Sequence, residues 1–254
     1  YIHSSYYCTS LERRKEGIMK TIGLIGGMSW ESSVSYYQII NEEIKLRLGG
    51  LHSAKCILYS VDFEEIEVLQ RNQEWNKAGD ILSEAARSLE LAGANFIIIC
   101  TNTMHKVAEQ IQSNTDIPLL HIADVTAEKV LGEGIETIGL LGTQYTMEQD
   151  FYKSRLEAKD IKVLIPERDD REIVNKVIYQ ELCLGTINPD SRKEFKRIIK
   201  GLIQQGAEGV ILGCTEIGLL VRNEDTSVPL FDTTNIHAKG AVDYALASSD
   251  PSNP

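Results

Sequence analysis

Several residue types and patterns are scarce or absent in this chain, and each absence excludes a class of protein. The chain has 254 residues. No apolar run reaches the roughly 18 residues that a membrane-spanning helix requires. The first 18 residues also lack the apolar centre of a secretory signal. These absences predict a cytoplasmic protein that does not bind a membrane.

Cysteine is uncommon as well, and its spacing does not suggest metal chemistry. The 5 cysteines are Cys8, Cys56, Cys100, Cys183 and Cys214. Their number is odd and no two form a C-x-x-C pair, so neither a disulfide framework nor a zinc site is indicated. We expect reduced thiols and no metal. Cys56 falls inside an apolar strand and Cys183 inside a helix, which favours a packing role for both.

Positive charge is in deficit. The chain has 26 Lys and Arg against 37 Asp and Glu, a formal net charge of −11. Binding of nucleic acid without regard to sequence needs clustered cations, so we expect no nucleic-acid partner. Apolar residues make up 43% of the chain and charged residues 25%, which is typical of a globular protein with a buried core.

What the sequence does contain is an alternation of strand-like and helix-like segments. The apolar runs that predict strands cover 21–27, 54–63, 95–100 and 117–122. The amphipathic segments that predict helices cover 30–48, 75–93 and the stretch from Cys100 to Gln112. Strands that alternate with helices of this length indicate βαβ units and a mostly parallel sheet.

This pattern occurs twice along the chain. "TIGLIG" at Thr21 returns as "TIGLLG" at Thr137, an offset of 137 − 21 = 116. "GANFIIICT" returns as "GAEGVILGCT", and the offset between Cys100 and Cys214 is 214 − 100 = 114. "IPLL" returns as "VPLF" in the same order. A nearly constant offset across three landmarks indicates an internal duplication.

The duplication predicts an α/β fold of two pseudo-symmetric, doubly wound subdomains. Each should carry a mostly parallel four-stranded sheet, with the active site in the cleft between them. We expect residues 19–122 together with 233–250 to form the first half, and residues 123–232 to form the second half. Residues 1–18 differ in character from the rest and are interpreted as a mobile extension, with an arm that packs on a neighbouring molecule as the alternative.

Two cysteines occupy equivalent places in the two halves. Cys100 and Cys214 each follow an apolar strand, and ligands of open α/β sheets bind at the carboxyl ends of the strands. Each is followed by Thr, which suits a helix N-terminus, where the pKa of a thiol is lowered. Two such thiols on opposite walls of one cleft could remove a proton from one face of a carbon and deliver a proton to the other.

Three motifs together resemble a known family. "GLIGGMSWES", "CTNTMH" and "GCTEIGLL" are similar to the aspartate/glutamate racemase family, the PLP-independent amino-acid racemases with two cysteines. The match is strongest to the bacterial broad-specificity aspartate/glutamate racemase branch and extends over residues 19–248. Glutamate racemases proper usually carry "GCTH" and a "DSG"-type first loop, where this chain has Glu216 and "GGMS". The resemblance implies cofactor-independent racemisation of aspartate, glutamate or both, by a homodimer.

The resemblance also implies a set of site residues. Cys100 and Cys214 would be the two acid–base groups, with Cys214 acting on the L-enantiomer. The residues that would bind the substrate are Met28, Gln70, Thr101, Asn102, Thr103, Arg171, Thr215 and Glu216. The loop around Met28, which includes Gly27 and Ser29, would offer backbone N–H groups to a carboxylate. Arg71 is the alternative to Gln70, and Arg168 the alternative to Arg171.

Several other interpretations remain open at this stage. His105 could pair with Cys100 in a cysteine hydrolase, although its spacing makes it point elsewhere, and His121 and His237 could line the cleft or form hydrogen bonds within it. "GLIGGM" lacks the GxGxxG spacing of a dinucleotide loop. The same two-cysteine layout occurs in hydantoin racemases, arylmalonate decarboxylases and maleate isomerases. A non-catalytic protein that binds acidic amino acids is an alternative from a different class.

Overall fold

The structure, a computed structural model, describes residues 19–247. The expectations for residues 1–18 and 248–250 lie outside that range. The strands are β1 Ile22–Gly26, β2 Cys56–Ser60, β3 Phe96–Ile99, β4 Thr137–Gly142, β5 Lys162–Leu164, β6 Gly209–Gly213 and β7 Leu230–Asp232. The helices are α1 Trp30–Leu48, α2 Phe63–Arg71, α3 Trp75–Leu91, α4 Ala108–Gln112, α5 Ile122–Gly132, α6 Gln144–Glu148, α7 Asp150–Glu157, α8 Arg168–Gln180, α9 Pro189–Gln204, α10 Ile217–Leu220 and α11 Thr233–Leu246. Short 3-10 helices cover Thr103–Val107, Leu182–Leu184 and Asn223–Asp225.

The strands form two parallel sheets. The first has the order β2-β1-β3 and the second the order β5-β4-β6-β7. All pairings are parallel, and the two sheets share one winding order. The predicted α/β fold with two similar subdomains is therefore confirmed. The strands β1, β3 and β6 are buried along their whole length, as expected for parallel strands covered by helices on both faces.

The first sheet has three strands, not the four that were predicted. The segment 117–122 contributes a single bridge, between Ile97 and Leu119. Pro118 has no N–H and can only accept, from the backbone N–H of Ile97. Two residues beyond the bridge, the side chain of His121 already caps α5 by accepting from the N–H of Ala123. The chain therefore leaves the sheet too early to form a strand.

The ends of the helices follow the capping chemistry of the sequence. Helix α1 begins after Ser29, whose hydroxyl accepts from the N–H of Ser32, and it ends at Gly49, where φ is +75°. A positive φ costs little for glycine, so Gly49 stops the helix where the sequence predicts it. The predicted helix at 75–93 ends at Leu91 instead.

The chain passes between the sheets at two places, just before α5 and just before α11. The apolar side chains of α5, including Ile122 and Val130, pack in one cluster with Ile138 and Phe231 of the second sheet. Those of α11, including Val242, pack against α1 and the first sheet. The first connection therefore delivers α5 to the second half, and the second connection returns the chain to the first half, where α11 packs. Between residues 19 and 247, every helix is too short or too polar to cross a bilayer.

Candidate active site

A cavity lies where the carboxyl ends of the two sheets face each other. From the first half it is lined by Met28, Ser29, Phe63, Gln70, Thr101, Asn102 and Thr103. From the second half it is lined by Thr143, Ile178, Tyr179, Cys183, Gly213, Cys214, Thr215 and Glu216. Nearly all of the predicted site residues are therefore brought to one cavity, with Cys100 and Arg171 as the exceptions.

The loop after β1 can reach the cavity because of Gly27. Its φ is +97°, and an added Cβ would lie 2.1 Å from the carbonyl oxygen of Val61, so no other residue fits. The N–H of Gly27 donates to the hydroxyl of Ser33 at 2.8 Å. That amide is therefore already bonded, and Met28 and Ser29 are the loop residues that line the cavity.

Cys100 departs from the expectation that two thiols face one cavity. Side chains alternate along an extended strand, and Phe96, Ile98 and Cys100 all point into the core cluster that contains Tyr36. The thiol of Cys100 is fully buried there and does not line the cavity. Thr101, the next residue, turns the other way and does line it. The wall opposite Cys214 thus contains Thr101, and the predicted thiol of Cys100 does not line it.

Asn102 brings an unpaired acceptor to the same wall. Its Nδ2 donates to the hydroxyl of Thr233 at 3.0 Å, and that hydroxyl donates in turn to the carbonyl of Leu212. Because the hydroxyl proton is already used, the amide group that faces it must be the NH2. The Oδ1 of Asn102 is buried without a hydrogen-bond partner. A buried acceptor of this kind is costly unless a ligand supplies a donor.

The first half of the chain contributes the first wall of the cavity, and the second half contributes the second wall. Glu216, a buried carboxylate, is the central hydrogen-bond acceptor of the second wall. Its Oε2 accepts from the thiol of Cys214 at 3.1 Å and from the hydroxyl of Thr215 at 2.5 Å. Its Oε1 accepts from the hydroxyl of Ser29, on the other half, at 2.8 Å. The carboxylate therefore holds Cys214 as a protonated thiol whose S–H points at a base.

Both cysteines differ from the expectation of a lowered thiol pKa. Burial raises the pKa of Cys214, and the negative charge of Glu216 raises it further. Burial alone raises the pKa of Cys100. Neither residue caps a helix, since the 3-10 helix after Cys100 begins at Thr103 and α10 after Cys214 begins at Ile217. Without a helix N-terminus at the sulfur, desolvation dominates.

Hydrogen bonds join the two halves around the cavity. The hydroxyl groups of Thr103 and Thr143 lie 3.0 Å apart, and the hydroxyl of Tyr145 donates to the carbonyl of Gln70 at 3.3 Å. The ring of Tyr145 also meets Trp75 edge to face, with centroids 5.0 Å apart. These contacts close the cavity on the side of α2 and α6.

No lysine, arginine or histidine lines the cavity within residues 19–247. The amide of Gln70 does, and it donates to the sulfur of Met104 at 3.0 Å. Gln70 also lines an adjoining pocket that contains Arg71. The guanidinium of Arg71 lies 3.6 Å from the carboxylate of Glu67 and is 65% exposed. Arg71 therefore lies in the adjoining pocket and does not line the cavity.

The two other predicted cations lie away from the cavity. Arg171 donates to Glu148 at 2.8 Å and to the carbonyl of Pro166 at 2.8 Å, and Arg168 pairs with Glu172 on the surface. Both are in the first turns of α8, whereas its last residues reach the cavity. At about 1.5 Å per residue, Arg171 lies roughly 12 Å along the helix from Tyr179.

The three histidines singled out by the sequence lie together behind the wall formed by Thr101. The centroid of the His105 ring is 4.5 Å from that of His121 and 5.7 Å from that of His237. Both ring nitrogens of His105 bond to backbone groups, and no bond to Cys100 exists. The pairing required by the cysteine-hydrolase interpretation is therefore absent.

Sequence reasoning missed several lining residues, namely Phe63, Thr143, Ile178, Tyr179 and Cys183. A signal was available for Thr143, because the offset of 116 between the repeats carries it onto Gly27. Cys183 was assigned a packing role, yet it lines the cavity beside Cys214. Its pKa is raised to about 12 by burial, with Glu216 and then Glu31 as further causes. No motif marks α8 residues as part of a site, since they reach it only through packing.

Among the described residues, no group of three or more His, Cys, Asp or Glu side chains is placed to hold a metal ion. The polar groups of the cavity are instead hydroxyls, amides, thiols and one carboxylate. These groups can form hydrogen bonds to a polar ligand, and the thiols, hydroxyls and carboxylate can also transfer protons.

Comparison with known proteins gives the family context. A profile of the family described as Asp/Glu/Hydantoin racemase matches residues 25–241. The broad specificity amino-acid racemase RacX of Bacillus subtilis is 25% identical over 171 residues, which is 65% of this chain and 70% of that protein. The match to the family extends over both halves.

Solved structures show the same similarity. A crystal structure of a candidate Asp/Glu racemase from Yersinia pestis is 59% identical, covers 90% of this chain and 100% of its own, and superposes with a TM-score of 0.86. An aspartate racemase homologue from Pyrococcus horikoshii is 36% identical, covers 89% of this chain and 99% of its own, and has a TM-score of 0.78.

Proposed function

Because the chain belongs to the Asp/Glu/hydantoin racemase family, we propose that it inverts the α-carbon of aspartate, glutamate or both without a cofactor. Family membership supports amino-acid racemisation as the activity. The observation that carries the finer proposal is the cavity itself, where the thiol of Cys214 faces a turn of hydroxyl and amide groups across the two halves.

Cys214 is the group on the second wall that exchanges a proton with the α-carbon. Its S–H points at Glu216, so the carboxylate can take the thiol proton and leave a thiolate. That thiolate then removes the α-proton of one enantiomer, and Glu216 keeps the first proton in the cavity. The raised pKa of the thiol makes the thiolate a strong base once it forms.

Thr101 is the group on the opposite wall that the geometry favours. Thr101 lines the cavity, whereas the thiol of Cys100 packs in the core. A hydroxyl is a weak acid, but an α-carbanion is a strong base, so Thr101 can deliver a proton to the face opposite Cys214. The alkoxide then regains a proton from solvent water, and Glu216 releases to solvent the proton that it took. Cys100 remains the alternative donor if the turn that contains it rearranges when substrate binds.

Asn102 and Glu216 provide acceptors for the amino group of the substrate. The unpaired Oδ1 of Asn102 would gain the donor that it lacks, and the single negative charge shared by Glu216 and Cys214 would balance an ammonium charge. The hydroxyl of Thr103 supplies a donor for the α-carboxylate, since Thr143 can be the donor in the bond between these two hydroxyls. As that carboxylate gains enolate character in the transition state, such a preorganised donor stabilises it further.

The acidic side chain of a bound aspartate or glutamate would extend towards the adjoining pocket that contains Arg71. Gln70 lines both spaces, and Arg71 lies in the outer one. The contact between Arg71 and Glu67 is long, at 3.6 Å, and exposed, so the guanidinium is only weakly held by its present partner. A carboxylate that passed Gln70 could therefore pair with Arg71, which would favour aspartate and glutamate over uncharged amino acids.

A homodimer is part of the proposal. Trp30, Val34 and Tyr37 follow one another at helical spacing along α1 and are 64%, 53% and 54% exposed. Leu58, on the edge strand β2, is 49% exposed on the same side of the sheet. Light scattering should give twice the chain mass of 28.4 kDa, and Tyr37→Glu should shift the protein to one chain. A monomeric wild type would contradict this part.

Incubation in D2O tests the proposed activity. The protein is mixed separately with L-Asp, L-Glu, a 5-substituted hydantoin and maleate, and α-deuteration and chirality are followed by NMR and chiral chromatography. We expect deuterium at the α-carbon and loss of optical purity with Asp, Glu or both. Turnover of hydantoin or maleate alone would reassign the reaction. Binding of the amino acids without exchange would indicate a non-catalytic binding protein.

A further inference from the structure

The ring of His105 joins the first wall of the cavity to the connection between the halves. Its Nδ1 lies 2.8 Å from the carbonyl oxygen of Thr101. Its Nε2 lies 3.2 Å from the backbone nitrogen of Ile122, the first residue of α5. The side chain is 2% exposed. One buried ring thus links the turn that presents Thr101 to the helix that leads into the second half.

The chemistry of these contacts leaves one form of the ring. The backbone N–H of Ile122 can only donate, so Nε2 must carry a lone pair and accept. The carbonyl of Thr101 can only accept, so Nδ1 must carry the proton and donate. His105 is therefore neutral and has no hydrogen-bonding capacity left. Burial, followed by the neighbouring His121 and His237, also lowers its pKa well below the usual range.

The neighbours hold this ring in place. His121 lies against it edge on and caps α5 through the N–H of Ala123. His237, on α11, donates from Nε2 to the carbonyl of Leu120 and accepts the hydroxyl of Tyr36 at Nδ1. The cluster therefore ties both connections between the halves to the back of the cavity wall.

We propose that His105 is a positioning residue for the racemase reaction. By fixing the carbonyl of Thr101, it fixes the peptide plane that follows, and so the direction of the Thr101 hydroxyl relative to Cys214. His105 does not touch the substrate. The inference rests on the proposed function, because it concerns delivery of a proton to the face opposite Cys214.

Two variants separate the two bonds of the ring. In His105→Asn, the side-chain NH2 stands near the position of Nδ1 and can still donate to Thr101. In His105→Gln, the longer amide reaches towards Ile122 and leaves Thr101 without its donor. Thr126→Val is the matched control, because Thr126 is fully buried in the first turns of α5 and donates to the carbonyl of Ile122 without contacting Thr101.

The readout is the ratio of inversion to exchange with retention. One enantiomer of Asp or Glu is incubated in D2O, and deuterium is measured in the recovered substrate and in the product. Cys214 can exchange the α-proton on its own face, whereas inversion also needs Thr101. A misplacement of about 1 Å can cost up to roughly 100-fold, so we expect His105→Gln to lower the ratio by about 10- to 100-fold. His105→Asn and Thr126→Val should keep the wild-type ratio.

The outcomes distinguish this inference from the proposed function. If His105→Gln loses inversion and exchange in equal measure, as a generally destabilised protein would, His105 does not position Thr101. The same conclusion follows if His105→Asn and His105→Gln behave alike. A wild type that exchanges no α-proton of either amino acid would remove the proposed function and, with it, this inference.

Discussion

Ser29 and Glu216 meet across the cavity, with the hydroxyl of Ser29 donating to Oε1 of Glu216 at 2.8 Å. They are 187 residues apart in the chain and belong to different halves. The other carboxylate oxygen accepts from the thiol of Cys214. One bond therefore couples closure of the two halves to the orientation of the group that takes the thiol proton.

Removal of the charge on Glu216 should lower the pKa of Cys214. The carboxylate is the second-largest cause of the raised thiol pKa, after burial, and Gln keeps the shape without the charge. Thiolate absorbance at about 240 nm is measured against pH, and the signal of Glu216→Gln/Cys214→Ser is subtracted as background. The absorbance should rise at lower pH in Glu216→Gln than in the wild type. Racemisation should still fall by about 100-fold, because the acceptor for the thiol proton is lost. The exposed Glu224→Gln is the control, and an unchanged titration of Cys214 would contradict the assignment.

Substitutions at positions 100 and 101 decide which residue of the first wall exchanges a proton with the α-carbon. Loss of a general acid–base group typically costs 10²–10⁴-fold, roughly, so Thr101→Val and Cys214→Ala should each reduce inversion by about that factor. Thr101→Ser keeps the hydroxyl and should retain most of the rate. Cys100→Ala should keep inversion within about threefold and act mainly on stability, through the cavity left in the core. Chiral chromatography measures all four. A large loss in Cys100→Ala with little effect in Thr101→Val would restore the two-thiol arrangement.

Arg71 should determine the preference for an acidic side chain. Arg71→Met keeps the aliphatic stem and removes the charge. A charged hydrogen bond contributes roughly 1.5–3 kcal/mol, so the KM for Asp or Glu should rise about tenfold or more, with little change in kcat. Arg87→Met is a suitable control, because Arg87 bonds to Asn114 away from both pockets. Equal kinetics in Arg71→Met and wild type would mean that the side-chain carboxylate binds elsewhere.

Acid should destabilise the protein through His237. Burial lowers the pKa of this ring from 6.5 to about 4. The unfolded chain takes up a proton below about pH 6.5, whereas the folded ring stays neutral until about pH 4. Stability therefore falls as the pH falls through that window, by up to about 1.4 kcal/mol per pH unit and about 3 kcal/mol in total from this group. Urea unfolding at several pH values should show a shallower dependence in His237→Gln. An identical slope in both proteins would show that His237 is not the group that titrates.

Parts of the fold and of the site were within reach of the sequence. The repeated strand motifs predicted two parallel sheets with one winding order, and the amphipathic pattern of residues 30–48 predicted helix α1 with both of its ends. The same repeat located Cys214 at the end of β6, where the structure places it in the cavity. These features depend on hydrophobic periodicity and helix capping, which act between residues that are close in the chain and can therefore be read from the sequence.

Other parts required the folded chain. The strand motif places Cys100 at the end of β3 but does not say which way its side chain points. Packing of Phe96 and Ile98 against α1 settles that the thiol enters the core and that Thr101 enters the cavity. Tyr179 on α8 and Cys183 in the 3-10 helix that follows likewise reach the site only because α8 packs against the second sheet.

The sequence by itself determined a duplicated α/β protein with polar turns at the carboxyl ends of two equivalent strands, because periodicity and capping act between residues that are close in the chain. Tertiary structure decided which atoms meet in the space between those turns. That choice depends on how side chains distant in sequence fill the core, and a shift of one residue along a strand exchanges a thiol for a hydroxyl at the surface of the cavity.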